Sequence, residues 1–191
     1  MAEQMKIVLA SGSPRRRELL KGMGLDFEIL VSDAEEIKTG LPSDQVRTNA
    51  RLKAEATAKK CTNSLVIAAD TLVSLNDRAL GKPASKEDAV RMLHDLSGRA
   101  HQVFTGVCVL NTRTGAVTEY TCRSDVIFRD LTDSEIETYV ATGEPMDKAG
   151  AYAIQGGAAK FVERYEGSYT NIIGLPVEEL KNILDQVRSV E

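Results

Sequence analysis

Lys6-Ile7-Val8-Leu9-Ala10-Ser11-Gly12-Ser13-Pro14-Arg15-Arg16-Arg17-Glu18-Leu19-Leu20 is the stretch that decides the fold class. Lys6 to Ala10 is a short apolar run, Ser11 to Pro14 interrupts it, and Leu19, Leu20 and Met23 then recur at helical spacing. The pattern predicts strand, tight turn and helix. Ser13 suits the N-cap, where a side-chain oxygen accepts from an unbonded backbone N–H, and Pro14 suits the first helical position, where no N–H is needed.

Downstream, Phe27 to Val31 predicts a second strand, and Asp44 to Lys60 a long helix with Val46, Ala50, Ala54 and Thr57 on one face. Leu65 to Ala69 is a run of consecutive apolar residues, as in a strand covered on both faces. Leu72 to Leu75 and Ala79 to Leu80 flank a turn at Asn76-Asp77-Arg78, and Ser85 to Leu96 reads as a capped helix. His101 to Leu110 and Val117 to Phe128 surround Thr112-Arg113-Thr114-Gly115 and predict an antiparallel hairpin. Thr132 to Val140 carries a capping box with Glu135, and Val177 to Val187 is an amphipathic helix preceded by Pro176. Gly143 to Gly174 reads as loop-rich, and long ordered loops in compact domains tend to carry function. Helices alternating with strands, followed by a hairpin, predict an α/β fold with a mixed, highly twisted sheet flanked by helices, in a single domain over residues 1–191.

Composition narrows the function classes. At 191 residues and 42% hydrophobic, the chain can bury a sizeable core. A net charge of −4 supplies no global field for a polyanion, so nucleic acid is not an expected partner, while a small anion needs only a local basic patch. Cys61, Cys108 and Cys122 lie outside any CxxC or Cys/His pattern, which argues against a disulfide framework and a zinc site. No segment reaches the roughly 18 to 20 apolar residues of a membrane span, so a cytoplasmic protein without membrane contact is expected.

The first chemical signal is electrostatic. Three arginines crowd the first turn of the first helix, where the dipole disfavours cations by about 0.3 to 1 kcal/mol each at exposed sites. A bound anion resolves the conflict: free N–H groups, Arg forks and the close approach allowed by Gly12 make a phosphate site from Ser11, Gly12, Ser13, Arg15 and Arg16. Arg15 and Arg16 precede Leu19 and Leu20 by helical spacing and lean inward, whereas Arg17 lies off that stripe and suits a solvated surface.

Asp70 directly follows the apolar run Val66-Ile67-Ala68-Ala69, and a carboxylate there is costly unless paired, metal-bound or functional; capping the next turn is the plainer alternative. Lys53 falls in the apolar stripe of its helix, where it must snorkel or meet an anion. Lys82 in Gly81-Lys82-Pro83 and Lys148 in Asp147-Lys148-Ala149-Gly150 add cations on separate loops, a pattern that suits a polyphosphate. Glu35 and Glu36 follow the second strand and could ligate magnesium or simply face water. His94 and His101 are too few and too isolated for a zinc site and are assigned to structure.

These residues resemble the Maf (septum formation protein) family of nucleoside triphosphate pyrophosphatases, similar in fold to inosine triphosphate pyrophosphatases. The match rests on Leu9-Ala10-Ser11-Gly12-Ser13-Pro14-Arg15-Arg16, Glu36, Lys53-Ala54, Ala69-Asp70-Thr71, Gly81-Lys82-Pro83, Leu96-Ser97-Gly98-Arg99 with Thr105, the block Glu144 to Tyr152, Ile154-Gln155-Gly156 and Gly174-Leu175-Pro176. The resemblance implies an elongated fold with a deep central cleft, dependence on Mg²⁺ or Mn²⁺, and homodimerisation. It implies Asp70 as catalytic base with Lys53 and Lys82 beside it, Glu36 and Asp70 as metal ligands, and pyrophosphate as a product.

Arg15, Thr71 and Gln155 resemble the branch acting on dTTP and UTP; the branch acting on 7-methyl-GTP carries an aromatic residue, Gln and Glu there. An amide at Gln155 both donates and accepts, as the edge of uracil or thymine requires. Two other functions stay open at this stage: a nucleotide-binding regulator of division or septum formation, and a pyrophosphatase acting on a purine such as ITP or XTP.

Overall fold

The computed structural model describes residues 5–189. The first four and last two residues of the expected 1–191 domain lie outside the described residues. The elements are β1 (Lys6–Leu9), α1 (Pro14–Gly22), β2 (Glu28–Ile29), α2 (Pro42–Ala58), β3 (Ser64–Leu75), β4 (Arg78–Leu80), α3 (Lys86–Leu96), β5 (Ala100–Asn111), β6 (Val117–Phe128), α4 (Asp133–Ala141), β7 (Val162–Glu166), α5 (Tyr169–Ile173) and α6 (Val177–Ser189). The strands form one mixed sheet in the order β2-β1-β3-β5-β6-β7, with β4 also paired to β3. The expected α/β class, with helices on a mixed sheet, is what the chain adopts.

Local chemistry explains the element ends. The Ser13 side chain accepts from the Arg16 N–H with Pro14 in the first turn, and Thr132 and Glu135 form the reciprocal capping box. Among the described residues no helix is long and apolar enough to cross a membrane, and the three cysteines are free thiols.

Two expectations are corrected. The second strand shortens to Glu28–Ile29, because it pairs with β1 at only two positions. The apolar run at 65–69 does not end at Asp70: β3 continues to Leu75 because β5 pairs with it residue for residue from Leu65 to Ser74. The stretch 143–174 is also less irregular than its glycines suggest, holding three short 3₁₀ turns, β7 and α5.

The length of β3 makes the functional region. On one edge β5 covers it throughout, whereas on the other β1 pairs only from Ser64 to Ile67 and β4 only from Val73 to Leu75. Ala68 to Leu72 therefore lacks a strand neighbour on that edge, and Asp70 sits in this gap. Period-two alternation then sorts the side chains. Val66 and Ala68 face α2, packing with its Ala50 and Ala54, while Ile67 and Ala69 face α1 and α6 with Leu20, Leu180 and Leu184. Asp70 thus points to the α2 side and Thr71 to the α1 side.

Candidate active site

Asp70 is buried, with its side chain 10% exposed, and its charge is met from α2. Lys53 Nζ lies 2.8 Å from Asp70 Oδ1, and Asn49 Nδ2 donates to Oδ2 at 3.0 Å. Lys53 is itself only 13% exposed and lies 2.7 Å from Glu36 Oε1. The ammonium therefore bridges two carboxylates, and the lysine on the apolar stripe meets anions rather than snorkelling to water. Asn49 and Lys53 stand four residues apart, so one helical face delivers both. Asn49 also accepts from the Ile37 N–H at 2.8 Å and donates to the Ile37 carbonyl at 3.1 Å, which ties the Glu36 loop to the same point.

Close helix–sheet approach makes these bonds possible. Gly106 is the register partner of Asp70, on the same face of the sheet. A Cβ there would fall 2.5 Å from the Val46 carbonyl carbon and 2.7 Å from the Arg47 nitrogen, so only glycine lets α2 lie against β5 at this level. Sequence reasoning missed both Asn49 and Gly106. Their signals were available: a polar residue four before Lys53, and a glycine inside an apolar strand, which marks a close backbone approach.

The turn at Ser11 to Arg16 forms the opposite wall, and it separates the three arginines. Arg16 turns inward, donating from Nε to the Gly174 carbonyl at 2.8 Å, from Nη2 to Thr71 Oγ1 at 2.9 Å and from Nη1 to Ser11 Oγ at 3.2 Å. Burial holds its guanidinium below the usual arginine value, with the Asp70 charge opposing that shift. Thr71 Oγ1 also lies 2.9 Å from Thr105 Oγ1, and Thr105 donates to the Asn171 carbonyl at 3.1 Å. Arg17 faces outward with its Nε 3.9 Å from Glu18, whereas Arg15 has no hydrogen bond or close ion pair among the described residues. The Gly174-Leu175-Pro176 block thus has a structural use: its first carbonyl anchors Arg16.

Between these walls lies a pocket of about 830 Å³. It is lined by Ser11, Gly12, Ser13, Arg15, Arg16, Glu36, Lys53, Asp70, Thr71 and Lys82, so the structure brings together ten of the expected site residues from five segments of the chain. Gln155 is the exception. It lines a smaller hollow of about 50 Å³ that shares Arg15 and Ala149 with the main pocket and also holds Lys148, against the apolar Val73, Ile154 and Ile173. Of the three positions expected to discriminate between substrates, Arg15 and Gln155 meet at this hollow, and Thr71 instead supports Arg16.

His101 lies in the core, as expected for a structural histidine: its Nε2 is 2.8 Å from the Tyr152 hydroxyl, and burial lowers its pKa to about 4. Among the described residues no group of three or more His, Cys, Asp or Glu is placed to hold a metal ion. The two-carboxylate notch of Glu36 and Asp70 is the place where the protein already accommodates a cation, the Lys53 ammonium.

A mixed α/β sheet with a polar pocket at a strand edge, walled by a helix N-terminus on one side and a cation-paired buried carboxylate on the other, defines an enzyme-like α/β protein built to receive an anion. The family model described as "Maf-like protein" matches residues 6–187, and the chain belongs to that family. It is 48% identical to a protein of Desulforamulus reducens named dTTP/UTP pyrophosphatase, over 93% of this chain and 94% of that protein. Proteins with the same name from Dictyoglomus thermophilum and Geotalea uraniireducens are 46% and 45% identical, over 95% and 100% of this chain and 96% and 100% of their own lengths.

Proposed function

We propose that this chain hydrolyses dTTP and UTP to the nucleoside monophosphate and pyrophosphate, with Asp70 as general base. The observation that carries the reading is Asp70 itself, a carboxylate fixed by Lys53 at 2.8 Å and Asn49 at 3.0 Å while lining the pocket opposite the Ser11 to Arg16 turn. The names of relatives that match over nearly the whole chain support the substrate class.

Asp70 takes a proton from a water molecule as the water oxygen bonds to the α-phosphorus, and the bond from that phosphorus to the bridging oxygen breaks, releasing pyrophosphate. Lys53 holds the Asp70 carboxylate in place before the proton arrives, and Asn49 fixes its second oxygen. Arg15 and Lys82, which line the pocket, together with the turn at Ser11, Gly12 and Ser13, stabilise the charge that grows on the departing phosphate oxygens. Arg16 holds the turn in shape through Gly174, Thr71 and Ser11. Gln155, on the neighbouring hollow, meets the edge of the pyrimidine.

A divalent cation, Mg²⁺ or Mn²⁺, would neutralise phosphate charge as a Lewis acid when bound. Glu36 and Asp70 are the residues that would hold it, since Mg²⁺ in phosphate sites takes one or two carboxylates and completes its shell with substrate oxygens and water.

The test is Asp70→Asn, assayed on a panel of pyrimidine and purine triphosphates with monophosphate and pyrophosphate both quantified. Turnover should fall at least about a thousandfold while nucleotide binding persists. Near wild-type turnover would remove Asp70 from the mechanism, and a wild-type protein that binds nucleotides without cleaving them would identify a binding regulator instead.

A further inference from the structure

Gln155 projects from the segment 153–157, which ends in two glycines, and its side chain has no hydrogen-bond partner among the described residues. Left to itself such a segment would be mobile, because glycine has the widest backbone freedom and ordering it on substrate binding would cost affinity. The structure holds it instead at two points. The Ala153 N–H donates to the Tyr139 hydroxyl at 3.3 Å, and the Gly157 N–H donates to Glu144 Oε2 at 2.9 Å. Between them the Gly156 N–H closes back on the Ala153 carbonyl at 3.0 Å, so Gln155 sits at the crest of a turn pinned on both flanks.

The fit to Glu144 is close. A Cβ at Gly156 would collide with Glu144 Oε1 and stand 2.6 Å from its Cδ, and one at Gly157 would stand 3.1 Å from both Glu144 Oε2 and Tyr139 Cε2. The carboxylate thus lies flat on the two-glycine backbone. It forms no ion pair with a Lys or Arg among the described residues, and it accepts from the Gly157 N–H while lying beside the Tyr139 phenol. Tyr139 belongs to α4 and is buried edge-on to Phe161 at 5.3 Å, which anchors one pin in the core. Burial first, and the Glu144 charge second, push the phenol pKa upward and keep it neutral.

We propose that Glu144 and Tyr139 are positioning residues for substrate selection, clamping the 153–157 turn so that Gln155 presents its amide to the pyrimidine edge. This rests on the base-reading role given to Gln155 above. Neither residue touches the pocket where the phosphates would lie, so their removal should act on base recognition and spare the chemical step.

The experiment compares full-length Glu144→Ala, Glu144→Gln, Tyr139→Phe and Gln155→Ala with wild type, measuring kcat and KM for UTP, dTTP, ATP, GTP and ITP alongside thermal unfolding. Glu144→Ala and Tyr139→Phe should raise KM for UTP and dTTP about tenfold, with kcat changed less than about twofold and purine turnover little affected, so the pyrimidine preference narrows. Glu144→Gln retains an accepting oxygen and should restore the preference. If Glu144→Ala fails to fold, Tyr139→Phe carries the same comparison. An equal loss on every base, accompanied by a lowered Tm, would reduce the clamp to a structural brace and overturn the proposal, as would an unchanged KM for UTP. If Gln155→Ala leaves the pyrimidine preference intact, the base-reading role itself fails, and the clamp falls with it whatever the Glu144 variants do.

Discussion

Replacing Gly106 with Ala is the sharpest test of how this site is assembled. The added methyl would overlap the Val46 carbonyl and fall 2.5 Å from its carbon and 2.7 Å from the Arg47 nitrogen. All three are backbone atoms inside α2, so no side chain can rotate away. Ordinary contact requires α2 and β5 to separate by about 1 Å, and overpacking of this kind costs about 3 kcal/mol, the upper end for a single methyl. For a chain of this length that corresponds to a Tm lowered by about 6 to 12 °C. Activity should suffer more than stability. Gly106 pairs with Asp70, and the displaced helix carries Asn49 and Lys53, whose bonds to Asp70 are 3.0 and 2.8 Å. A shift of about 1 Å at reacting groups can cost about a hundredfold in rate, so kcat for UTP should fall by about that factor at a temperature where circular dichroism shows the variant folded. Wild-type kcat and Tm together would refute the claim that glycine at this register sets the distance between helix and carboxylate.

Arg16→Lys keeps the charge but loses the planar fork that reaches Gly174, Thr71 and Ser11, and should lower stability by about 2 kcal/mol in denaturant unfolding. An unchanged midpoint would make those three bonds dispensable. Glu36→Gln removes one carboxylate of the pair around Lys53 and should raise the Mg²⁺ or Mn²⁺ concentration needed for half-maximal turnover about tenfold. The same metal dependence in the variant would exclude Glu36 as a ligand. His101, with its pKa lowered to about 4 in the fold against about 6.5 when unfolded, binds its proton more readily unfolded. Stability should therefore rise with pH from about 4 to 6.5 and be lost as pH falls through that window, by up to about 3 kcal/mol. Chemical denaturation across this range should show a shallower slope for His101→Gln, and an identical slope would assign the dependence elsewhere.

How much of this was legible varied with the range of the interactions. Asp70 stood out because an ionised group beside an apolar run demands an explanation, yet the strand was expected to stop there. Nothing within five residues reveals that β5 pairs alongside and carries β3 on to Leu75. Lys53 was recognised as misplaced on an apolar stripe, but its partners, Glu36 and Asp70, lie seventeen residues away in either direction and only the fold brings them to one ammonium. Arg15 and Arg16 looked equivalent by helical spacing. They diverge because the Gly174 carbonyl, 158 residues downstream of Arg16, accepts from one of them.

What the sequence determined by itself are the features governed by neighbours in the chain: the cap at Ser13, Pro14 in the first helical turn, the hairpin of β5 and β6, and the capping box of Thr132 and Glu135. The caps close their hydrogen bonds within a few residues, and the hairpin is started by a local turn from Asn111 to Ala116, from which the ladder extends between adjacent strands. The tertiary structure decided which of the marked residues share a site: the open edge of β3 that exposes Asp70, the approach of α2 over Gly106, and the turning of Arg16 into the interior. Those outcomes follow from strand register and helix packing, which are set by the best simultaneous burial of the whole core; a single segment can mark a close approach, as the glycine at 106 does, but not which element approaches.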